Sequence, residues 1–325
     1  MIIVRSPLRI TLAGGGLDLP SYYTKYGGFT ISAAIDKYVY VSVIRPFVEG
    51  IYLKYSQLEH VQQVDEVQHP IIRESLKLLK LKTPQIEITS ISDIPATGTG
   101  LGSSGSFTTG LLKAIFLHRK QFLQPSILAE MACDININKL SKIQGKQDEY
   151  ASAFGGITIF NFHKDNSVET HPLNISIDTI HDLEENLLLF FTGYSRSAND
   201  ILQDQDVKTK NDDEGMCENL HKVRDIALAT KKALEDGDIK LFCTLTNDHW
   251  TIKRTRTQGM TNEKIDNIYY TGMYNGALCG KIVGAGNGGF MLFYTKNKDN
   301  LRKTMRELGL EELRFGFDFE GCKSI

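Results

Sequence analysis

Hydrophobic positions follow different spacings in the two halves of the chain. The first half carries short apolar or alternating runs, IIVRS, FTISAAI, YVYVSVI and IYLKY, which predict β-strands. In the second half, apolar residues recur every three or four positions over 218–235, 239–254 and 262–278, which predicts long helices. A strand-rich half followed by a helix-rich half predicts an α+β protein. We expect two domains, spanning 1–175 and 176–325.

One stretch of the second half breaks this pattern. Residues 203–214, QDQDVKTKNDDE, hold seven charged residues and hardly any apolar residue. A segment this polar has little surface to bury against a core. We therefore expect a mobile exposed loop or the start of a helix there.

Composition limits the classes of function. The 325 residues carry a formal net charge of -2, which argues against a nucleic-acid-binding surface. No apolar run approaches the roughly 18 residues that a membrane span needs, and Arg5 and Arg9 interrupt the only candidate signal segment. The five cysteines are scattered and show no CxxC pair. We expect a cytoplasmic protein without structural zinc and without nucleic-acid or membrane partners.

A glycine-rich loop, TGTGLGSSG at 97–105, lies between the strand-like QIEITSIS and a predicted helix over 104–119. Glycine allows positive φ and close backbone approach, and a helix that begins after such a loop offers free N–H donors to an anion. The loop therefore has the properties of a phosphate cradle. The alternative is a serine N-cap after a flexible turn. The loop fits neither GxxxxGK[ST] nor GxSxG.

A second glycine cluster, GAGNGG at 284–289, satisfies GxGxxG. The strand-like FMLFYT follows it, however, so no strand-loop-helix unit for a dinucleotide can be built there. A glycine hairpin is the simplest interpretation, and such a hairpin can also touch a ligand.

Three motifs in this order resemble those of the GHMP kinases: SPLRITLAGGGLDLPSYY at 6–23, IPATGTGLGSSGS at 94–106 and VGAGNGGF at 283–290. GKQDEYASAFGG at 145–156 adds to the resemblance, which covers nearly the whole chain. It implies a two-domain GHMP fold with a ribosomal S5-like N-terminal domain and a ferredoxin-like, helix-rich C-terminal domain. It also implies ATP and Mg²⁺ as cofactors, a small-molecule sugar phosphate as substrate, and a monomer or homodimer.

Within the family, LAGGGLDLP, GKQD and LFFTGYSRSA are most similar to the motifs of D-glycero-D-manno-heptose 7-phosphate kinases. These enzymes phosphorylate the anomeric C1 hydroxyl to give the 1,7-bisphosphate, which supplies GDP-heptose for surface polysaccharides. Kinases of fucose or of a hexose at C1 are similar over the same motifs and remain an alternative. A catalytically silent sugar- or ATP-binding regulator is a second alternative.

The resemblance implies a role for each matching residue. Asp148 would be the catalytic acid-base residue, with Arg9 beside the transferring phosphate. The ATP phosphates would be bound by Gly98, Gly100, Leu101, Gly102, Ser103, Ser104, Gly105 and Ser106. The substrate would be bound by Gly15, Gly16, Asp18, Lys146, Arg196, Lys253, Gly286 and Asn287. The simpler alternatives are a surface ion pair for Asp148, a turn for Asp18 and a salt bridge at a strand end for Arg9.

The metal site departs from the family pattern. Ser104 matches a magnesium-binding serine, but the position of the usual second ligand, a glutamate, is Asn136. Asparagine offers only a neutral carbonyl oxygen to a hard cation. Either magnesium is held by Ser104, phosphates and water, or Asp134 or Asn136 completes the site.

Overall fold

The computed structural model describes residues 1–78, 85–94, 98–193 and 199–325. Its strands form two sheets, and the α+β class predicted from the sequence is confirmed. The strands are β1 Ile2–Ala13, β2 Gly28–Ile44, β3 Gly50–Lys54, β4 Leu58–Val61, β5 Gln85–Ser92, β6 Ile157–Phe162, β7 Val168–Pro172, β8 Leu187–Phe191, β9 Cys279–Ile282, β10 Phe290–Tyr294, β11 Glu311–Leu313 and β12 Lys323–Ser324.

The helices cover both sheets and are numbered in chain order. They are α1 Pro20–Tyr26, α2 Pro70–Lys77, α3 Ser103–His118, α4 Pro125–Cys133, α5 Gln147–Phe154, α6 Ile177–Asn186, α7 Asn199–Lys210, α8 Glu214–Glu235, α9 Ile239–Arg254, α10 Glu263–Tyr274 and α11 Lys298–Glu307. A 3₁₀ turn at Val64–Glu66 and a π-helical turn at Asp134–Lys139 complete the set.

The first sheet is organised around the 17-residue strand β2. β2 pairs with β1 along most of its length, with β6 in its first half and with β5 in its second half. The order β12-β1-β2-β5-β3-β4 is antiparallel except between β3 and β5. The last eight residues of β1 are buried although they include polar residues, and this burial carries Arg9 into the interior.

Helices α3 and α5 pack on this sheet beside the point where β1 ends. α3 buries ten residues, among them Leu111, Leu112 and Ile115. Gly105 allows α3 to lie against α5, because a Cβ at Gly105 would be 2.6 Å from the Asp148 Cβ. The first turns of both helices therefore lie close together.

The second sheet has the order β11-β8-β10-β9 and is antiparallel throughout. Its apolar face packs against the second-half helices in a cluster that includes Trp250, Phe190 and Phe293. The end of the chain then returns to the first sheet, where β12 pairs with β1 and Tyr38 donates a hydrogen bond to Asp318. The division into domains 1–175 and 176–325 stays a prediction. Because the C-terminal strand β12 pairs with β1, a single boundary cannot assign every strand to the half of the chain whose sheet it joins.

Of the two alternatives expected over 203–214, the mobile exposed loop was wrong, whereas a helix start is present, because α8 begins at Glu214. Most of this stretch is helix α7, and the side chains of Gln205 and Thr209 are buried. Polar residues are buried here because each has a hydrogen-bond partner: Gln205 donates to the Gly16 carbonyl at 2.8 Å, and Thr209 donates to the Gln205 carbonyl at 2.6 Å. Across the described part of the chain, no helix has both the length and the apolar surface that crossing a bilayer requires.

Candidate active site

A cavity of about 640 Å³ is lined by residues of both halves of the chain. The first half contributes the end of β1, the glycine loop, the start of α3 and the loop that leads into α5. The second half contributes α9, β9 and residues of α7. The lining includes Arg9, Thr11, Gly15, Gly16, Asp18, Gly98, Thr99, Gly100, Gly102, Ser103, Ser104, Lys142, Gln147, Asp148, Leu202, Gln205, His249, Lys253, Arg256, Lys281 and Gly284.

The glycine loop meets this cavity with left-handed residues at alternate positions. Gly98, Gly100 and Gly102 have φ of +70°, +76° and +79°, and Gly102 is the N-cap of α3. This conformation favours glycine because other residues are strained there. Ser103 and Ser104, in the first turn of α3, line the cavity. Free N–H groups at a helix start after a glycine loop fit a chain of phosphates.

The second glycine cluster packs directly on the glycine loop. A Cβ at Gly100 would be 2.6 Å from the Val283 carbonyl oxygen, and a Cβ at Gly284 would be 2.5 Å from the Gly100 Cα. A Cβ at Gly289 would be 2.4 Å from the Thr99 carbonyl oxygen. Two glycine segments are needed because two backbones approach each other more closely than side chains permit.

Arg9 and Asp148 form an ion pair on the floor of the cavity. The Arg9 Nε and Nη2 atoms lie 2.8 and 2.6 Å from Asp148 Oδ1, and Nη1 donates to the Gly100 carbonyl at 2.6 Å. Arg9 is buried, whereas the Asp148 side chain keeps about a quarter of its surface exposed. The pair thus joins β1, the glycine loop and α5, with one carboxylate edge open to a ligand.

Asp18 lies deeper, beside Gln147. Its Oδ2 accepts from the Gln147 N–H and its Oδ1 from the Gln147 side-chain amide, both at 3.1 Å. Gly145 is required there because a Cβ would be 1.7 Å from Asp18 Oδ2. Burial, together with the nearby charge of Asp148, raises the pKa of Asp18. Thr11 and Ser32 also donate to Gln147 Oε1, at 2.7 and 3.1 Å.

Four basic side chains of the second half, His249, Lys253, Arg256 and Lys281, form what we call the cation cluster. Each is less than a tenth exposed and lines the cavity. Burial, and then neighbouring positive charge, lowers the pKa of His249 and of Lys253 well below their ordinary values. Burial lowers the pKa of Lys281 to about 8 and that of Arg256 to about 10, the latter against the nearby charge of Asp18.

The cation cluster is held by backbone carbonyls of both halves. Lys253 donates to the carbonyls of Ile282 and Gly284, Lys281 to that of Leu12, and Arg256 to that of Gly15 at 3.2 Å. Two nitrogen atoms of the cluster, Arg256 Nη2 and His249 Nε2, are buried and have no hydrogen-bond partner within the described ranges. A buried wall of basic side chains with unpartnered nitrogen atoms is suited to bind an anion, which would favour their charged forms.

Lys142 lies next to Ser104 on the opposite side of the cavity. Its amine donates to Ser104 Oγ at 3.0 Å and to Asn136 Oδ1 at 2.8 Å. The Asn136 amide nitrogen donates to Thr108 Oγ1 and to Glu149 Oε1. Burial lowers the pKa of Lys142 and, with the charge of Asp148, raises that of Glu149 to about 8.

These residues do not fit a magnesium site built by the protein. Both oxygens proposed as ligands, Ser104 Oγ and Asn136 Oδ1, accept from a lysine amine. Asp134 does not line the cavity; its carboxylate is 45% exposed and accepts from Asn138. No group of three or more His, Cys, Asp or Glu side chains suited to a metal ion occurs in the part of the chain that the structure describes.

The structure brings most of the predicted site residues to the cavity, but not all. Lys146 is buried elsewhere: its amine donates to Glu130 at 2.8 Å and to the Asn166 carbonyl at 2.9 Å. Arg196 lies outside the described residues. Other residues of the predicted set do not line the cavity but lie in the segments that do or directly beside them, namely Leu101, Gly105, Ser106, Gly286 and Asn287.

Each of these supporting residues has a local role. Leu101 accepts from the Arg9 N–H at 3.0 Å, and Ser106 donates to the Ser6 carbonyl at 2.8 Å. Gly286 and Asn287 contact Met260. These contacts fix the glycine loop, the start of α3 and the hairpin between β9 and β10.

Sequence reasoning did not place Lys142, Gln147, His249 and Lys281 in the site. A signal existed for His249, because His249, Lys253 and Arg256 follow the spacing i, i+4, i+7 of one helix face. Lys281 and Lys142 carried no such signal, since their approach to the cavity depends on tertiary packing.

The chain matches known proteins along its whole length. The family model described as the N terminal domain of GHMP kinases matches residues 70–156. The chain is 31% identical to the D-glycero-alpha-D-manno-heptose 7-phosphate kinase of Campylobacter jejuni, covering 99% of this chain and 98% of that protein. It is 24% identical to an L-fucokinase/L-fucose-1-P guanylyltransferase of Bacteroides fragilis, covering 93% of this chain and 36% of that protein.

A solved structure has the same fold. The crystal structure of a D-glycero-D-manno-heptose 1-phosphate kinase from Bacteroides thetaiotaomicron matches with a TM-score of 0.82 at 24% identity, covering 100% of this chain and 99% of that chain. The likeness at this identity concerns the fold. The full-length relative and the matched domain, taken with the glycine loop and the Arg9–Asp148 pair, show that the chain belongs to the GHMP kinases, a family of ATP-dependent phosphotransferases.

Proposed function

We propose that this protein transfers the terminal phosphoryl group of ATP to the anomeric hydroxyl of D-glycero-D-manno-heptose 7-phosphate, giving the 1,7-bisphosphate. The observation that carries the proposal is the cation cluster, which lines the same cavity as the Arg9–Asp148 pair. A sugar that already bears a phosphate needs a second anion site besides the one for ATP. Arg256 and Lys253 provide buried positive charge for that site.

The arrangement supports in-line phosphoryl transfer. Asp148 would accept the proton of the sugar hydroxyl while the hydroxyl oxygen forms a bond to the terminal phosphorus of ATP. The bond from that phosphorus to the bridging oxygen would break at the same time and release ADP. Arg9 would stabilise the charge on the transferred group and orient the Asp148 carboxylate. The N–H groups at the start of α3 and the loop at 98–102 would hold the donor phosphates. Asp18 would accept hydrogen bonds from sugar hydroxyls.

Other sugars define the alternatives. A fucose or hexose kinase would leave the cation cluster without an anion, at the cost of burying mutually repelling charges. The name of the related heptose 1-phosphate kinase raises a different alternative, in which the existing phosphate is at C1. The two alternatives differ in whether a phosphate is required and where it is attached.

The experiment is a substrate panel followed by one pair of variants. The protein is incubated with ATP and magnesium and with heptose 7-phosphate, heptose 1-phosphate, heptose, fucose, galactose or mannose, while ADP release is measured. We expect turnover with heptose 7-phosphate and a product with phosphate at C1. Turnover with only unphosphorylated sugars would overturn the heptose phosphate assignment, and turnover with only the 1-phosphate would overturn the position of transfer.

Arg256→Gln tests the proposed anion site directly. Loss of one charge-assisted contact of ~1.5–3 kcal/mol should raise KM for heptose 7-phosphate about 10- to 100-fold, with little change in the affinity for ATP. The matched control is Arg254→Gln, because the Arg254 guanidinium contacts Asp266 and Tyr270 and does not line the cavity. Equal effects of the two substitutions would contradict the assignment.

A further inference from the structure

The position of the Lys142 amine is the starting observation. It donates both to Ser104 Oγ in the first turn of α3 and to Asn136 Oδ1 in the π-helical turn. Lys142 lines the cavity beside Ser103 and Ser104, where the donor phosphates are expected. A positive charge is thus already present at the place where the resemblance predicts a carboxylate that holds magnesium.

The contacts of Asn136 fix the direction of its amide. Asn136 is fully buried, and its nitrogen lies 2.8 Å from Glu149 Oε1 and 3.0 Å from Thr108 Oγ1. Both partners accept hydrogen bonds, so the nitrogen must face them and the oxygen must face Lys142. A glutamate at 136 would place a second carboxyl group next to Glu149, whose pKa burial already raises, and would remove the amide donor to Thr108 and Glu149.

Glu149 therefore accounts for asparagine at 136, and asparagine in turn leaves the site without a carboxylate. Ser104 Oγ and Asn136 Oδ1 keep a lysine amine between them, and an ammonium group repels a divalent cation at the same place. The charge of the donor phosphates must then be neutralised in part by Lys142. Lysine is well suited to this task as a compact charge on a flexible stem.

We propose that Lys142 binds the terminal phosphates of ATP directly and takes the place of a protein ligand to magnesium. The metal would then contact the protein little and belong chiefly to the nucleotide. The proposal rests on ATP as the phosphoryl donor but is independent of which sugar accepts the phosphate. It predicts that this protein retains appreciable affinity for ATP without any divalent cation.

The test measures ATP binding by calorimetry in EDTA and again with magnesium, for the wild type and for Lys142→Gln. We expect Lys142→Gln to weaken metal-free ATP binding more than tenfold, since it removes a charge-assisted contact. Lys142→Arg keeps the charge and should retain most of the affinity. The matched control is Lys139→Gln, because the Lys139 amine is 4.0 Å from Asp134 and does not line the cavity.

The possible outcomes separate this inference from the proposed function. Unchanged metal-free affinity in Lys142→Gln, or a loss only in the presence of magnesium, would overturn the role of Lys142. Lys142→Arg as weak as Lys142→Gln, with both variants melting like the wild type, would also overturn it. Failure of the wild type to bind ATP under either condition would instead contradict the assignment of the donor. A Lys142→Gln protein that does not fold is replaced in the test by Lys142→Met.

Discussion

Arg9 connects three parts of the candidate active site through one side chain and its own backbone. Its N–H donates to the Leu101 carbonyl at 3.0 Å, one guanidinium nitrogen donates to the Gly100 carbonyl, and two others contact Asp148. A lysine has a single nitrogen and cannot make all the side-chain contacts together. At the scale of a residue, these contacts together require an arginine. The arginine in turn fixes the position of the Asp148 carboxylate.

Asp148→Asn tests the acid-base role of Asp148. The amide keeps the size of the side chain but cannot accept the sugar proton, so kcat should fall by roughly 10²–10⁴. The affinity for ATP should remain or increase slightly, because a negative charge beside the phosphates is removed. Steady-state ADP release and calorimetry measure the two quantities. Near-normal turnover would remove Asp148 from the mechanism, and Asp134→Asn, outside the cavity lining, should be silent.

At the scale of elements, the contact between two glycine segments positions the phosphate cradle. The loop before α3 and the hairpin between β9 and β10 come from different halves of the chain, and Gly100 and Gly284 approach each other without side chains. Lys253 also donates to the Gly284 carbonyl at 2.5 Å, which ties the hairpin to α9. A shift of the hairpin would therefore disturb both the cradle and the cation cluster.

Gly100→Ala tests this contact. The new Cβ would meet the Val283 carbonyl oxygen at 2.6 Å in a residue with φ of +76°. We expect a loss of ~1–3 kcal/mol in the free energy of unfolding from strain, and a larger total because backbone must also move. The affinity for ATP should fall roughly tenfold or more, equivalent to ~1.4 kcal/mol or more.

The control for Gly100→Ala is Gly309→Ala. Gly309 has φ of +74°, and a Cβ there would have no atom within 4 Å, so this substitution reports the cost of backbone conformation alone. Urea unfolding and ATP calorimetry on both variants separate strain from contact. Equal losses of stability with unchanged ATP affinity would show that the glycine contact does not position the cradle.

The sequence predicted helices and strands well where the local pattern of residues determines them, and poorly where contacts with distant residues determine them. Helix α3 was expected over 104–119 and spans Ser103–His118, since a glycine loop and helical spacing mark its start. Helix α4 ends at Cys133 and continues as a π-helical turn over Asp134–Lys139, a change of helix type that apolar spacing does not mark. The extent of α7 was not predicted because its buried polar side chains are stabilised by hydrogen bonds to Gly16 and within the helix, which no apolar pattern reveals.

At the scale of the whole molecule, the cavity depends on both halves. Lys281 on β9 and Arg256 after α9 reach carbonyls at Leu12 and Gly15, at the end of β1. These contacts join segments more than 200 residues apart, so sequence spacing could not predict them. Motif resemblance identified Arg9, Asp148 and the glycine loop, whereas the cation cluster became visible as a unit only in three dimensions.

The cation cluster should make the binding of a phosphorylated sugar depend on pH. Burial lowers the pKa of Lys281 from 10.5 to about 8 in the ligand-free protein. A bound phosphate favours the charged amine and raises that pKa again, so binding above pH 8 takes up a proton. Affinity for heptose 7-phosphate should therefore fall as pH rises from about 8 towards 10, by at most about tenfold per pH unit for one proton.

Calorimetry at several pH values, in buffers of different ionisation enthalpy, measures both the affinity and the proton uptake. Lys281→Arg, which stays charged over this range, should flatten the profile for heptose 7-phosphate. Unphosphorylated heptose, which brings no charge to the cation cluster, should bind without this dependence in the wild type. In this range Lys281 loses its proton in the ligand-free protein but keeps it in the complex. The affinity of the wild type for heptose 7-phosphate should therefore decline steadily as the pH rises. A flat profile, or one that Lys281→Arg leaves unchanged, would mean that the phosphate binds away from Lys281.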